Sequence, residues 1–160
     1  FAITNSHTPE TIQVQGHKIW EDNNNQDGIR PESITINLLA NGEIIDTVTV
    51  TEAEGWAWSF TGLPEFAAGE AIEYSIEEEA VEGYVAAYDG YNVTNTHEPA
   101  TVDVNGSKTW TDADNQDGIR PESITINLLA NGEKVDSKTV TAADDWAWSF
   151  TGLDKYAERG

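Results

Sequence analysis

Residues 25–43 read NQDGIRPESITINLLANGE, and residues 115–133 repeat the same nineteen letters. Within the stretch, SITINLLA carries β-branched and apolar residues in the pattern of a strand that buries one face. Asn41-Gly42, copied as Asn131-Gly132, separates that run from a second one at 43–51. An Asn-Gly pair between two such runs predicts a two-residue hairpin, because both turn positions need φ > 0 and these residues reach it most cheaply. The deciding stretch is thus a β-hairpin, and it is present twice.

Outward from it, Trp20 and Trp110 set the repeat period at 90 residues. A period that long suits whole small domains in tandem and not the units of a solenoid. Residues 1–9 (FAITNSHTP) match 91–99 (YNVTNTHEP). The chain is therefore expected to hold the last strand of a preceding repeat at 1–9, a complete repeat at 10–99 and an incomplete second repeat at 100–160. Period-two alternation marks strands at 11–20, 33–40, 43–51, 56–61, 71–80 and 91–97, and no segment follows a helical period. On 43–51 the copies differ at Ile44/Lys134 and Val48/Lys138 but keep Ile45/Val135 apolar, which predicts a solvent-facing even side and a core-facing odd side. The expected fold is all-β, tandem β-sandwich modules with about seven strands each.

Composition narrows the function. Twenty-nine acidic residues against eight basic ones give a net charge of −21, which repels phosphate backbones and anionic headgroups, so neither nucleic acid nor a membrane surface is expected as a partner. With no Cys and no Met, a disulfide scaffold, a thiolate metal site and a Cys nucleophile are excluded. Leu63-Pro64-Glu65-Phe66 lacks the Thr of a sortase signal and reads as a turn.

The chemistry lies in polar residues that share the core phase. Along the first strand Ile12, Val14, Gly16, Lys18 and Trp20 lie on one face, so the sole lysine of residues 10–99 points inward. In the second copy the matching series is Val102, Val104, Gly106, Lys108 and Trp110. A buried, unpaired ammonium is costly, so Lys18 must be neutral or matched. On 71–80 the inward series Ile72, Tyr74, Ile76, Glu78 singles out one glutamate of several, and on 91–97 the series Tyr91, Val93, Asn95 singles out an amide. On strand phase alone, the three residues form either a buried Lys–Glu ion pair completed by Asn95 or a reactive set.

The order of motifs, K-x-W-x-D, NQDGxRPxSIxxxLLANG, WxWSF, YSIEE followed by GY, and NVTNTH, resembles the B-type repeats (CnaB domains) of Gram-positive collagen-binding surface adhesins over nearly the whole chain. The resemblance implies a transthyretin-like or inverse immunoglobulin-like sandwich and a spontaneous intramolecular isopeptide bond. By position the family's lysine falls on Lys18, its catalytic glutamate on Glu78 and its asparagine on Asn95, with Asn5 and Lys108 as halves that have no in-chain partner. It implies single-turnover chemistry in which a neutral Lys18 amine attacks the Asn95 carboxamide, a protonated Glu78 shuttles protons and ammonia leaves. Nothing is regenerated, so the chain is not expected to be an enzyme, and no cofactor is implied.

Other features have plainer readings. Asp22, Asp27, Asp112, Asp114 and Asp117 lie in two Asp/Asn/Gly loops that resemble the start of an oxygen-ligand calcium loop. The downstream bidentate Glu is misplaced, so a turn without an ion is preferred and no metal is expected. Trp56, Trp58 and Phe60 form a stripe that suits a core better than a sugar platform. His7 and His97 fall at module junctions and His17 on a polar face. The prolines of Thr8-Pro9-Glu10 and Glu98-Pro99-Ala100 predict semi-rigid links. The leading expectation is a stalk of repeats on an extracellular, cell-wall-anchored bacterial adhesin, with adjacent repeats as partners and head-to-tail strand donation between copies as a further contact. The rival is a set of repeats that themselves bind carbohydrate or host protein with avidity.

Overall fold

The computed structural model describes residues 1–159, which form two compact units, one of Phe1–Pro99 together with residues 157–159 and one of Ala100–Tyr156. In the first unit the strands are β1 (Thr11–Glu21), β2 (Ser33–Ala40), β3 (Glu43–Thr51), β4 (Ala57–Pro64), β5 (Phe66–Ala67), β6 (Glu70–Ala71), β7 (Tyr74–Glu78), β8 (Val85–Asp89) and β9 (Asn92–Thr96). They build a β-sandwich of a four-stranded sheet, β4-β1-β9-β8, and a three-stranded sheet, β3-β2-β7, with β5 and β6 as a small separate ladder. Neighbours are antiparallel except β1 and β9, which run parallel with Lys18 opposite Val93 and Trp20 opposite Asn95. The first and last large-sheet strands of the unit thus lie side by side at the centre of one sheet.

The expected hairpin forms between β2 and β3, with Asn41 at φ 48° and Gly42 at φ 86°. After β3 the chain turns through a short 3-10 segment, Glu52–Glu54. Its cap is reciprocal: the Ala53 N–H donates to Thr51 Oγ1 at 3.2 Å and the Thr51 N–H to Glu54 Oε2 at 2.7 Å. Gly55 and Trp56 both take φ > 0, so Trp56 belongs to the turn and the strand expected at 56–61 begins at Ala57.

The core contains Val14, Ile34, Ile36, Leu38, Val50, Trp58, Phe60, Leu63, Tyr74, Ile76 and Val93. On β1 the inward phase is as expected, with Val14 and Lys18 buried, Ile12, Gly16 and Trp20 partly so, and His17 exposed. β3 departs from expectation. Its even-numbered Val48 and Val50 face the core, while Ile44 and Ile45 are 56% and 52% exposed. Leu38 pairs with Asp46 and the next residue, Leu39, with Ile44, so Ile45 is an extra, bulged residue of β3 and the phase of that strand reverses there. The lysine that stands in for Val48 in the second copy, Lys138, keeps the inward phase but runs out over the Phe150 ring to the Ser149 carbonyl. β8 was not expected, and the expected strand at 71–80 is split into β6 and β7.

The second unit pairs β10 (Thr101–Ser107) with β13 (Ala147–Asp154), and β11 (Ser123–Ala130) with β12 (Glu133–Thr141), all antiparallel. A second 3-10 turn, Ala142–Asp144, precedes β13. Only Val140 and Phe150 of its hydrophobic residues are buried, and Val102, Val104, Leu128, Leu129, Val135 and Leu153 line an open apolar cleft. Residues 1–10 form no strand and are exposed throughout.

Candidate functional site

Three strands meet around one carboxylate. β1 carries Lys18, β7 carries Glu78 and β9 carries Asn95, and their residues are 5%, 6% and 0% exposed. Alternation sets each one inward, and the parallel β1/β9 pairing puts Lys18 and Asn95 on neighbouring strands of one sheet, facing Glu78 of the other. Lys18 Nζ donates to Glu78 Oε2, and Asn95 Nδ2 donates to Glu78 Oε1 at 2.7 Å. The carboxylate therefore bridges an amine and a carboxamide. Asn95 Oδ1 is buried and accepts no hydrogen bond. The Trp20 ring centroid lies 4.7 Å from Lys18 Nζ and walls off one side of the amine.

The electrostatics favour a reactive amine. Burial pushes the Lys18 ammonium below the ordinary lysine value, against an upward pull from the hydrogen bond and charge of Glu78. A lysine so placed gives up its proton more readily, and Glu78 is in direct contact to receive it.

The two Asp/Asn/Gly loops are turns clamped by arginine. Asn23, Asn24 and Asn25 all take φ > 0, as do Ala113, Asp114 and Asn115 in the second copy. Asp22 is buried and accepts from Arg30 Nη2 at 2.6 Å, Arg30 Nε at 3.0 Å, the Tyr84 hydroxyl at 2.7 Å and the Asn25 N–H at 2.9 Å. Burial alone would raise the Asp22 carboxyl, but the hydrogen bonds from Arg30, Tyr84 and Asn25 outweigh it and hold the group below the usual carboxylate range. Burial and the Asp22 carboxylate push the Tyr84 phenol well up. Asp112 is held by Arg120 in the same way, at 2.5 and 2.9 Å. Asp27 Oδ2 lies 2.8 Å from His97 Nε2. Among the described residues no group of three or more His, Cys, Asp or Glu is arranged to hold a metal ion.

The Cna protein B-type domain model matches residues 14–96 and 104–160. The chain belongs to the Cna B-type domain family. It is 42% identical over 163 residues to a collagen adhesin of Staphylococcus aureus, an alignment that covers 98% of this chain and 14% of the adhesin. Among solved structures it is similar to two B repeat units of the S. aureus collagen-binding protein, with 38% identity, a TM-score of 0.57, and coverage of 96% of this chain and 41% of that one. It is also similar to a single B repeat unit of that protein, with 37% identity, a TM-score of 0.55, and coverage of 93% and 80%.

As a Cna B-type protein, the chain brings Lys18, Glu78 and Asn95 together and leaves the other two expected halves apart from any such set. Lys108 follows the end of β10, is exposed, and lies with Nζ 5.0 Å from the Trp110 ring centroid; Asn5 is exposed and outside any strand. Of the aromatic stripe, Trp58 and Phe60 are in the core and Trp56 is half-buried, edge-on to Trp20 at 5.2 Å. Sequence reasoning missed β8 and with it Tyr88, whose hydroxyl reaches Glu78. The available signal was Asp89-Gly90, a turn dipeptide two residues before a strand that had been recognised. It also missed the Arg30 clamp, which joins residues eight positions apart in a loop with no period to read.

Proposed function

We propose that this chain is part of the stalk of a bacterial surface adhesin, outside the cell, and that its complete repeat is locked by an amide between Lys18 and Asn95. The observation that carries this is the Glu78 carboxylate shared by Lys18 Nζ and Asn95 Nδ2 in a dry core. Lys18 passes a proton to Glu78 along their hydrogen bond, and the neutral amine attacks Cγ of Asn95. As the Cγ=O bond opens, Glu78 donates to Oδ1, which has no other partner. A second amine proton is relayed through Glu78 to Nδ2; Oδ1 then returns its proton to Glu78 as the Cγ=O bond re-forms, the Cγ–Nδ2 bond breaks and ammonia departs. Lys18 and Asn95 lie 77 positions apart, and closing a loop of that size stabilises a fold by roughly 4 to 5 kcal/mol by analogy with a disulfide.

The chain spans about 14% of the length of the collagen adhesin that it matches, so the collagen binding of that protein is not carried over to these repeats. Burial of Trp58 and Phe60 supports a stalk over a sugar-binding face. On the same reading Lys108, exposed beyond the end of β10, stays unbonded within these 160 residues. The test is intact mass under denaturing conditions. The expected mass is that of the sequence less one ammonia, with a cross-linked peptide joining the segments around Lys18 and Asn95. Full sequence mass with no such peptide would sink the proposal. Glu78→Ala is expected to retain the ammonia, and Glu77→Ala, on the outer face of β7, to lose it.

A further inference from the structure

Glu78 sits on an edge strand, and its backbone points two ways. In the β3-β2-β7 sheet the Glu79 N–H donates to the Thr35 carbonyl of β2 at 3.0 Å, so alternation turns the Glu78 N–H toward the side of β7 that no strand covers. An uncovered amide on an edge strand is ordinarily left to water. Here the Tyr88 hydroxyl accepts it at 2.9 Å. Tyr88 belongs to β8, the edge strand of the other sheet, and is opposite Val93 of β9, which is itself opposite Lys18 of β1. Tyr88, Val93 and Lys18 therefore lie on one line across the four-stranded sheet, and the tyrosine hydroxyl bridges from that line to the residue whose carboxylate holds the amine.

We propose that Tyr88 is a positioning residue for the amide-forming step: its hydroxyl fixes the Glu78 backbone so that the carboxylate spans Lys18 and Asn95. This rests on the Lys18–Asn95 reading above. β7 is paired with β2 on one side only, Glu78 opposite Ile36 and Glu77 opposite Asn37, so on its outer side the Glu78 backbone is tied to the other sheet through the Tyr88 hydroxyl. A displaced carboxylate loses one of its two partners, and positional errors of an ångström cost rate heavily. The Tyr88 hydroxyl is bonded to the Glu78 backbone and not to its carboxylate, so it acts through the placement of Glu78.

The test uses the full chain made by cell-free synthesis, quenched at intervals in denaturant and weighed intact, at a temperature far below the unfolding transition. Tyr88→Phe keeps the ring and removes only the acceptor oxygen. Ammonia loss is expected to slow roughly tenfold in Tyr88→Phe. Val85→Ala, on the same edge strand, is expected to keep the wild-type rate, so that a mere loss of edge stability is separated from positioning. Faster amide hydrogen exchange at Glu78 in a Tyr88→Phe, Lys18→Ala chain, relative to Lys18→Ala alone, is the expected structural signature. If the wild type loses ammonia and Tyr88→Phe loses it equally fast, the role of Tyr88 is overturned and the amide bond stands. If the wild type loses none, both fall.

Discussion

His97 closes the last strand onto the loop that follows the first. Its Nδ1 lies 2.8 Å from the Gly83 carbonyl oxygen and its Nε2 the same distance from Asp27 Oδ2. The hydrogen bond to Asp27 raises the imidazole above its ordinary value of 6.5, with the Gly83 carbonyl and the nearby acidic charges adding to it against a smaller effect of burial. A group whose folded value is raised contributes stability fully below the unfolded value and loses it as pH rises through the folded one. Unfolding temperature is therefore expected to fall as pH is raised from about 6 through the histidine range, and the slope to vanish in His97→Gln. An unchanged slope in that variant would assign the pH dependence to other groups. Asp22 works in the opposite sense, because Arg30, Tyr84 and Asn25 depress it, so its contribution is lost only as the solution becomes acidic.

At the level of elements, the parallel contact of β1 and β9 is what allows a covalent cross-link, and Gly16 is what allows the contact. A Cβ at position 16 would stand 1.8 Å from the Tyr91 carbonyl oxygen, where β9 begins. The obstacle is backbone, so no side-chain rotation relieves it. Gly16→Ala is expected to displace the start of β9, lower stability by about 1 to 3 kcal/mol and reduce the fraction of chains that lose ammonia, since Asn95 lies on the displaced strand. Thermal unfolding read together with intact mass checks both, and a stable, fully bonded Gly16→Ala chain would show that β9 can shift without cost. The hairpins and 3-10 turns, by contrast, are settled locally. Asn41-Gly42 and the Thr51/Glu54 cap need only their own neighbours.

For the whole molecule, the two units differ in how much they bury. Eleven hydrophobic residues form the core of the first, whereas only Val140 and Phe150 are buried in the second. Apolar burial is the main favourable contribution to folding, and the second unit has far less of it. Hydrogen exchange is accordingly expected to be slow for β1, β2 and β9 and much faster for β11 and β12, although β2 and β11 have the same sequence. Equal protection of those two strands would mean that the open cleft lined by Val102, Leu128 and Leu153 is covered in solution.

Much of this protein was determined by sequence alone, and for a definite reason. Strand phase is a property of alternate residues, so the burial of Lys18, Glu78 and Asn95 could be read from their own segments, and the Asn-Gly turns followed from the left-handed backbone that those residues tolerate. Phase does not carry register or partner. The facing of β3 was misread because a bulge at its own Ile45 reverses the phase and because Lys138, though inward in phase, runs its amine out to the surface. β8 was missed because an edge strand with every residue exposed has no apolar alternation to betray it. Only tertiary structure brought Glu78 between Lys18 and Asn95, set Tyr88 against its backbone and folded Arg30 onto Asp22, because each of those contacts depends on how strands and loops far apart in the chain are placed against one another.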